Sequence, residues 1–196
     1  MRGRLTFAAV VLAGLLLPAS AAANSILNGD FETGNFSDWI VDPASTGSAL
    51  FVGGHGHSGV GAAWFGAISG HDDWLSQTFA TLPGESYVVT FWLAHGATDH
   101  ANDFNVWWNS TSLLNLINAP KFGQTSYSFV TTASGDETTL RFSGRELRDY
   151  YYLDSVSVAP LPTPEPTTVA LLVGGLAALA GRARAGRKKR DGSRAA

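Results

Sequence analysis

Apolar and polar residues alternate in short runs through the middle of the chain, and turn residues separate the runs. In residues 86–94 one face collects Tyr87, Val89, Phe91 and Leu93; in residues 102–109 one face collects Phe104, Val106 and Trp108. A period of two marks a strand with one face on a core. Further runs cover residues 48–52, 60–65, 74–80, 127–132, 138–143 and 151–158, and a short N-terminal strand fits residues 25–27. Gly53-Gly54-His55-Gly56-His57-Ser58-Gly59 separates two runs, and Leu82-Pro83-Gly84 ends another. About nine short strands with regular turns predict an all-β domain, a two-layer jelly-roll β-sandwich over residues 24–159.

The pattern changes at both ends. Arg2 and Arg4, the apolar stretch 5–17, Pro18 and Ala21-Ala22-Ala23 follow the order of a cleaved secretory signal peptide over residues 1–23. After a Pro-rich linker, 160–166, residues 167–181 carry no charge and are mostly Val, Leu, Ala and Gly. A helix of that length covers about 22 Å, short of the ~30 Å hydrocarbon core. Arg182 and Arg184 can snorkel to help close the gap. The expectation is a single transmembrane helix with the basic tail, 182–196, on the cytoplasmic side.

The chain has 13 Lys and Arg against 16 Asp and Glu, and that near-balance hides a segregation. Residues 24–166 hold four bases, Lys121, Arg141, Arg145 and Arg148, against fifteen acids, a net charge of −11. This part lacks the basic footprint of a nucleic-acid binder. The absence of cysteine excludes disulfide scaffolds, Cys-ligated metals and thiol nucleophiles. No Gly-x-Ser-x-Gly elbow, His-Glu-x-x-His helix or phosphate loop occurs, so no enzyme activity is expected.

Pro164-Glu165-Pro166, an apolar helix and an Arg/Lys cluster, in that order, resemble the PEP-CTERM sorting signal of Gram-negative bacteria. The resemblance implies that signal peptidase and the export machinery handle the N-terminus. It further implies that a membrane-embedded cysteine protease, an exosortase, recognises the C-terminal motif. The protein would pass through the inner membrane to the cell surface or extracellular matrix.

A second resemblance spans residues 25–158. Asn28-Gly29-Asp30-Phe31-Glu32-Thr33-Gly34 with Trp39 looks like the opening of galactose-binding-like carbohydrate-binding modules. His57-Ser58-Gly59 before Ala62-Ala63-Trp64, the stretch 74–79 and Phe91-Trp92-Leu93 are similar to their inner strands. Leu153-Asp154-Ser155-Val156-Ser157-Val158 resembles their closing strand, with Ser155 where a second Asp often stands. The resemblance implies a structural Ca²⁺ between the N-terminal acidic loop and Asp154, with Glu32 and Asp30 as the matching N-terminal acids.

From the residues themselves, Asp154 is expected to point inward with Tyr152, Val156 and Val158. A buried carboxylate must be paired, hydrogen-bonded or metal-bound; Ca²⁺ and a capped turn of backbone N–H groups are the two readings. On the ligand side, alternation turns Trp92, Asp103, Asn105, Trp107 and Arg141 outward. Sugar rings stack their C–H faces on aromatics, while their hydroxyls need Asn, Asp and Arg partners, so these residues form the candidate glycan face. A one-residue slip would turn every one of them inward. His55, His57 and His71 match no metal-ligand spacing and read as loop residues. The function expected is non-catalytic binding of extracellular polysaccharide. A structural or adhesive matrix protein is the alternative, and a small glycan hydrolase, using acids such as Asp72-Asp73, comes third.

Overall fold

The alternation builds two stacked antiparallel sheets. The structure, a computed structural model, describes residues 23–43, 47–68, 70–96, 100–162, 171–180 and 182. Its strands are β1 (Ile40–Asp42), β2 (Phe51–Gly53), β3 (Ala62–Phe65), β4 (Asp73–Ala80), β5 (Ser86–His95), β6 (Asn102–Trp108), β7 (Thr111–Ile117), β8 (Phe122–Thr132), β9 (Glu137–Glu146) and β10 (Tyr151–Pro160). The first sheet runs β1-β4-β9-β6-β7 and the second β2-β3-β10-β5-β8. The inner faces meet through Phe65, Leu75, Phe91, Leu93, Phe104, Leu140, Phe142 and Leu153, all fully buried. Each contributes roughly 1.5–3 kcal/mol of hydrophobic stabilisation, and Phe142 makes edge-on contact with Phe91 across the two sheets.

Turn chemistry matches the sequence where its signals are strongest. At Leu82-Pro83-Gly84 the Glu85 N–H reaches Leu82 O at 3.1 Å, and Gly84 takes φ +83°. Pro fixes the first corner and Gly supplies the positive φ of a type II turn.

Four expectations need correction. The N-terminal segment at residues 25–27 forms no strand. It is held by Ser25 N–H to Val158 O (2.7 Å) and by the buried Gln77, whose amide accepts from Leu27 N and donates to Leu27 O. A side chain thus supplies the two bonds that a ladder would have given. Strands β1 and β7 were not foreseen, because their faces are largely exposed and carry weak alternation. The phase of β10 breaks at a bulge between Asp154 and Ser157, with Ser155 at φ +53°. Tyr151 and Leu153 point inward before it and Val156 and Val158 after it, so Tyr152 and Asp154 belong to the outer side. At the C-terminus a helix covers residues 171–180. Among the described residues no helix is long and apolar enough to cross a membrane. Residues 1–22 of the expected signal and the Pro164-Glu165-Pro166 motif lie outside the described residues.

One end of the sandwich is closed by polar rather than apolar packing. His95 and Glu146, both with fully buried side chains, meet at 2.6 Å through Nε2 and Oε2. His95 Nδ1 lies 3.1 Å from Pro120 O, and Tyr151 stacks on the imidazole at 4.3 Å. The Tyr151 hydroxyl donates to Asn102 Oδ1; burial, with the Glu146 charge second, raises the Tyr151 pKa well above its usual 10. The network joins the ends of β5, β6, β9 and β10, and each buried polar group has a partner.

Candidate functional site

Adjacent rows of outward residues cross the first sheet. Trp74 of β4 lies opposite Ser143 of β9, which lies opposite Asn105 of β6. In the next row Ser76, Arg141 and Trp107 align. The two indoles meet over β9 with centroids 5.2 Å apart and planes 19° apart. The Arg141 guanidinium sits 5.3 Å from the Trp74 ring, a cation–π distance. Arg141 is exposed, and among the described residues no carboxylate lies in ion-pair reach of it.

A polar strip flanks the tryptophans. Arg145 binds Asp103 Oδ2 through Nε at 3.0 Å and Nη2 at 2.6 Å, and its Nε lies 3.7 Å from Asp72 Oδ1. Ser143 Oγ donates to Asp72 Oδ2 at 3.0 Å. Burial, and then the Asp103 charge, raise the Asp72 pKa above 3.8. Asn105 is buried; its amide reaches Asp103 at 3.4 Å and Ser143 at 3.5 Å. It braces the strip rather than being offered to solvent. The structure therefore brings Asp103, Asn105, Trp107 and Arg141 together on one face, as the alternation required. Trp74 was missed as a partner, although its place before inward Leu75 already turned it outward.

Trp92 does not join them. It lies on β5 of the second sheet, on the opposite side of the molecule from Trp107. The reason is topological: β5 and β6 follow one another in sequence but enter different sheets. Trp92 is also covered. The loop before β3 crosses this outer face, and His57 stacks on Trp92 at 3.6 Å with planes 9° apart. The same loop is held at its start, where the Gln124 amide donates to His55 O and the Trp64 indole donates to Gly54 O at 2.6 Å. Trp64 packs among Phe51, His55, Tyr150 and Tyr152 at 4.8–5.3 Å, which makes the His-rich loop part of a packed aromatic layer.

The three candidate metal ligands converge on that loop to different degrees. Asp154 is fully buried; its Oδ2 accepts Ser58 N at 2.8 Å and its Oδ1 accepts Ser155 N at 2.5 Å. Glu32 Oε1 accepts Val60 N at 2.7 Å and Gly61 N at 2.6 Å. A Cβ on Gly59, at φ +61°, would strike the Glu32 carboxyl at 2.4 Å, so this glycine leaves room for the acid. Asp30 is exposed and only caps its own turn, accepting Glu32 N at 3.3 Å. Among the described residues no three His, Cys, Asp or Glu side chains cluster as a metal site, and neither Glu32 nor Asp154 has a Lys or Arg partner.

No protein-family profile matches the sequence, and no curated protein matches it. Solved structures match the fold. The structure of TmCBM61 in complex with β-1,4-galactotriose has a TM-score of 0.57 at 18% identity, over 71% of this chain and 100% of that one. The K3 cleaved adhesin domain of Lys-gingipain from Porphyromonas gingivalis has a TM-score of 0.52 at 18% identity, over 68% and 98%. The enzymatically active domain of bacteriophage CBA120 tailspike protein 4 has a TM-score of 0.56 at 14% identity. The match covers 70% of this chain and 21% of that one, so the chain spans about a fifth of the tailspike domain. The fold is thus a two-sheet antiparallel β-sandwich similar to carbohydrate-binding modules.

Proposed function

We propose that the outer face of the first sheet binds an extracellular polysaccharide without catalysis. The observation that carries this reading is the half-buried Trp74–Trp107 pair on the outer face, with the exposed Arg141 beside it. Aromatic faces take the C–H sides of sugar rings, and Arg141 and Ser76 supply polar contacts along the same row. The two acids nearest the pair are unsuited to glycoside hydrolysis. Asp72 accepts from Ser143 Oγ and Asp103 from the Asn105 amide, so each is engaged as a hydrogen-bond acceptor. Both are also drawn to Arg145.

The sorting tail fits this reading: a polysaccharide binder works outside the cell, and the PEP motif would deliver it to the surface or matrix through an exosortase. A structural Ca²⁺ at the loop before β3 is a second part of the proposal. Glu32 and Asp154 both hold the loop before β3, among the described residues neither has a Lys or Arg partner, and hard oxygen donors are what Ca²⁺ takes. Glu32 and Asp154 would hold it, with Asp30 outside the set, and the ion would balance their charge. Chelation is then expected to lower the melting temperature; an unchanged melt would leave both acids as caps of backbone N–H groups.

A glycan array probed with the full chain tests the proposal. Binding to at least one polysaccharide class, lost in Trp107→Ala, is expected. No binding by the wild type would turn the reading to an adhesive or structural role.

A further inference from the structure

We infer that β8 is a self-pairing edge, through which two copies of this chain join their second sheets antiparallel about a two-fold axis at Ser128. β8 pairs with β5 alone, and its other edge has no backbone partner among the described residues. Every second residue there aims N–H and C=O away from the sheet. Natural sheets blunt such edges with charge, proline, short strands or a covering segment. Among the described residues β8 has none of these over residues 125–132: its eleven residues, Phe122–Thr132, contain no charge and no proline. On the other side of the sandwich, the edge strands β1 and β2 have only three residues each.

The side of the molecule around β8 is also incompletely closed. Leu113, Leu114 and Leu116 of β7, and Phe122, Tyr127 and Phe129 of β8, are only partly buried against the core. Lys121 is the single charge in residues 111–133, whereas residues 24–166 as a whole stand at −11. Two copies repel one another over most of their surface, and this neutral strip is where they do not. β8 is the better edge of the two, because β7 is shorter and its ladder is bulged at Val106/Trp107.

A second copy suits β8 better than an unrelated peptide because the strand is self-complementary. Thr125, Tyr127, Phe129 and Thr131 lie opposite the inward Leu93, Phe91, Val89 and Tyr87 of β5. Pairing about Ser128 sets Tyr127 opposite Phe129 of the second copy on this core side, and Thr125 opposite Thr131. On the outer side Ser126 meets Val130 and Ser128 meets Ser128. Aromatic and Thr–Thr cross-strand pairs are favourable partners, and no side chain changes face.

The chain has no cysteine, so single cysteines report the axis without background. In Ser128→Cys the two residues lie directly opposite, within the disulfide range of about 4.4–6.8 Å between Cα atoms. In Ser126→Cys the two copies of residue 126 lie four residues apart, about 13 Å. Mild oxidation of the full chain in a mild detergent is expected to give a covalent dimer for Ser128→Cys and none for Ser126→Cys. Sedimentation should find a wild-type dimer and a Ser128→Lys monomer, since a charge would face its own copy. Both serines are exposed, and an unchanged melt checks that folding is intact. Equal crosslinking of both cysteines, no crosslinking of Ser128→Cys, a monomeric wild type, or a dimer that survives Ser128→Lys would each overturn the inference. Survival would assign association to another part of the chain, such as the apolar C-terminal segment.

Discussion

The two outer faces of this sandwich carry similar aromatic residues and treat them in opposite ways. On the first sheet Trp74 and Trp107 stack on each other with Arg141 beside Trp74, and among the described residues no further ring stacks on either. On the second sheet Trp92 lies under His57, and Trp64 is surrounded by four rings. The difference comes from one loop. Backbone N–H groups of residues 58, 60 and 61 are taken by Asp154 and Glu32, which pins the loop across the second sheet. An outward tryptophan is therefore a binding candidate only where no loop has claimed its face, and strand phase alone does not reveal that.

The comparison can first be broken by exchanging inside for outside. Trp108 is buried, with its indole donating to Thr132 O at 3.2 Å, while its neighbour Trp107 faces out. Trp108→Ala should cost about 3–5 kcal/mol of stability. Trp107→Ala, at a half-buried position, should cost less, about 1–2 kcal/mol for the aromatic pair and part of its burial. Chemical denaturation of both variants measures the contrast, and equal losses would mean that the β6 phase is misassigned.

The pinned loop can then be released. Asp154→Ala removes the charged acceptor of Ser58 N and Ser155 N and should lower stability by about 2–4 kcal/mol. Because the loop carries His57, Trp92 should become more solvated, and the tryptophan emission should shift to the red. A stable variant with unchanged emission would mean that the aromatic layer, not Asp154, holds the loop.

The smallest effect concerns Asp72 beside the open face. Its pKa is raised, so the folded chain keeps the proton to higher pH than the unfolded chain does. The folded state then gains relative stability as pH falls through the raised value toward 3.8, and loses it as pH rises. Asp72→Asn should remove this contribution. The wild-type melting temperature, relative to the variant, should rise as pH falls through that window. A constant difference would mean that Arg145 fully offsets the burial of Asp72.

Much of the sandwich was legible because strong alternation survives in β4, β5, β6 and β9, and because Pro83-Gly84 is chemically explicit. The N-terminal segment was not, since a side chain, Gln77, completes its hydrogen bonding in place of a ladder. The inward Asp154 was a phase error caused by a bulge at Ser155, a residue with no turn signature of its own, although its burial was foreseen. Four of the five candidate ligand residues do share one face. The fifth, Trp92, was misplaced because alternation gives the side of a strand and not the sheet it joins. Trp74 had the right phase all along and needed only the β4–β9–β6 order to meet Trp107.

The central claim is that the open face binds sugar and the covered face does not. The direct measurement is calorimetric titration of the best array glycan into the full-length wild type, Trp74→Ala, Trp107→Ala and Trp92→Ala, each shown folded by its melt. A stacking tryptophan at the centre of a contact is worth about 2 kcal/mol or more, so the Trp74 and Trp107 variants should each lose roughly thirtyfold in affinity, and the Trp92 variant should bind as the wild type does. Wild-type affinity in both first-sheet variants, with loss in Trp92→Ala, would contradict the account and move the site to the second sheet.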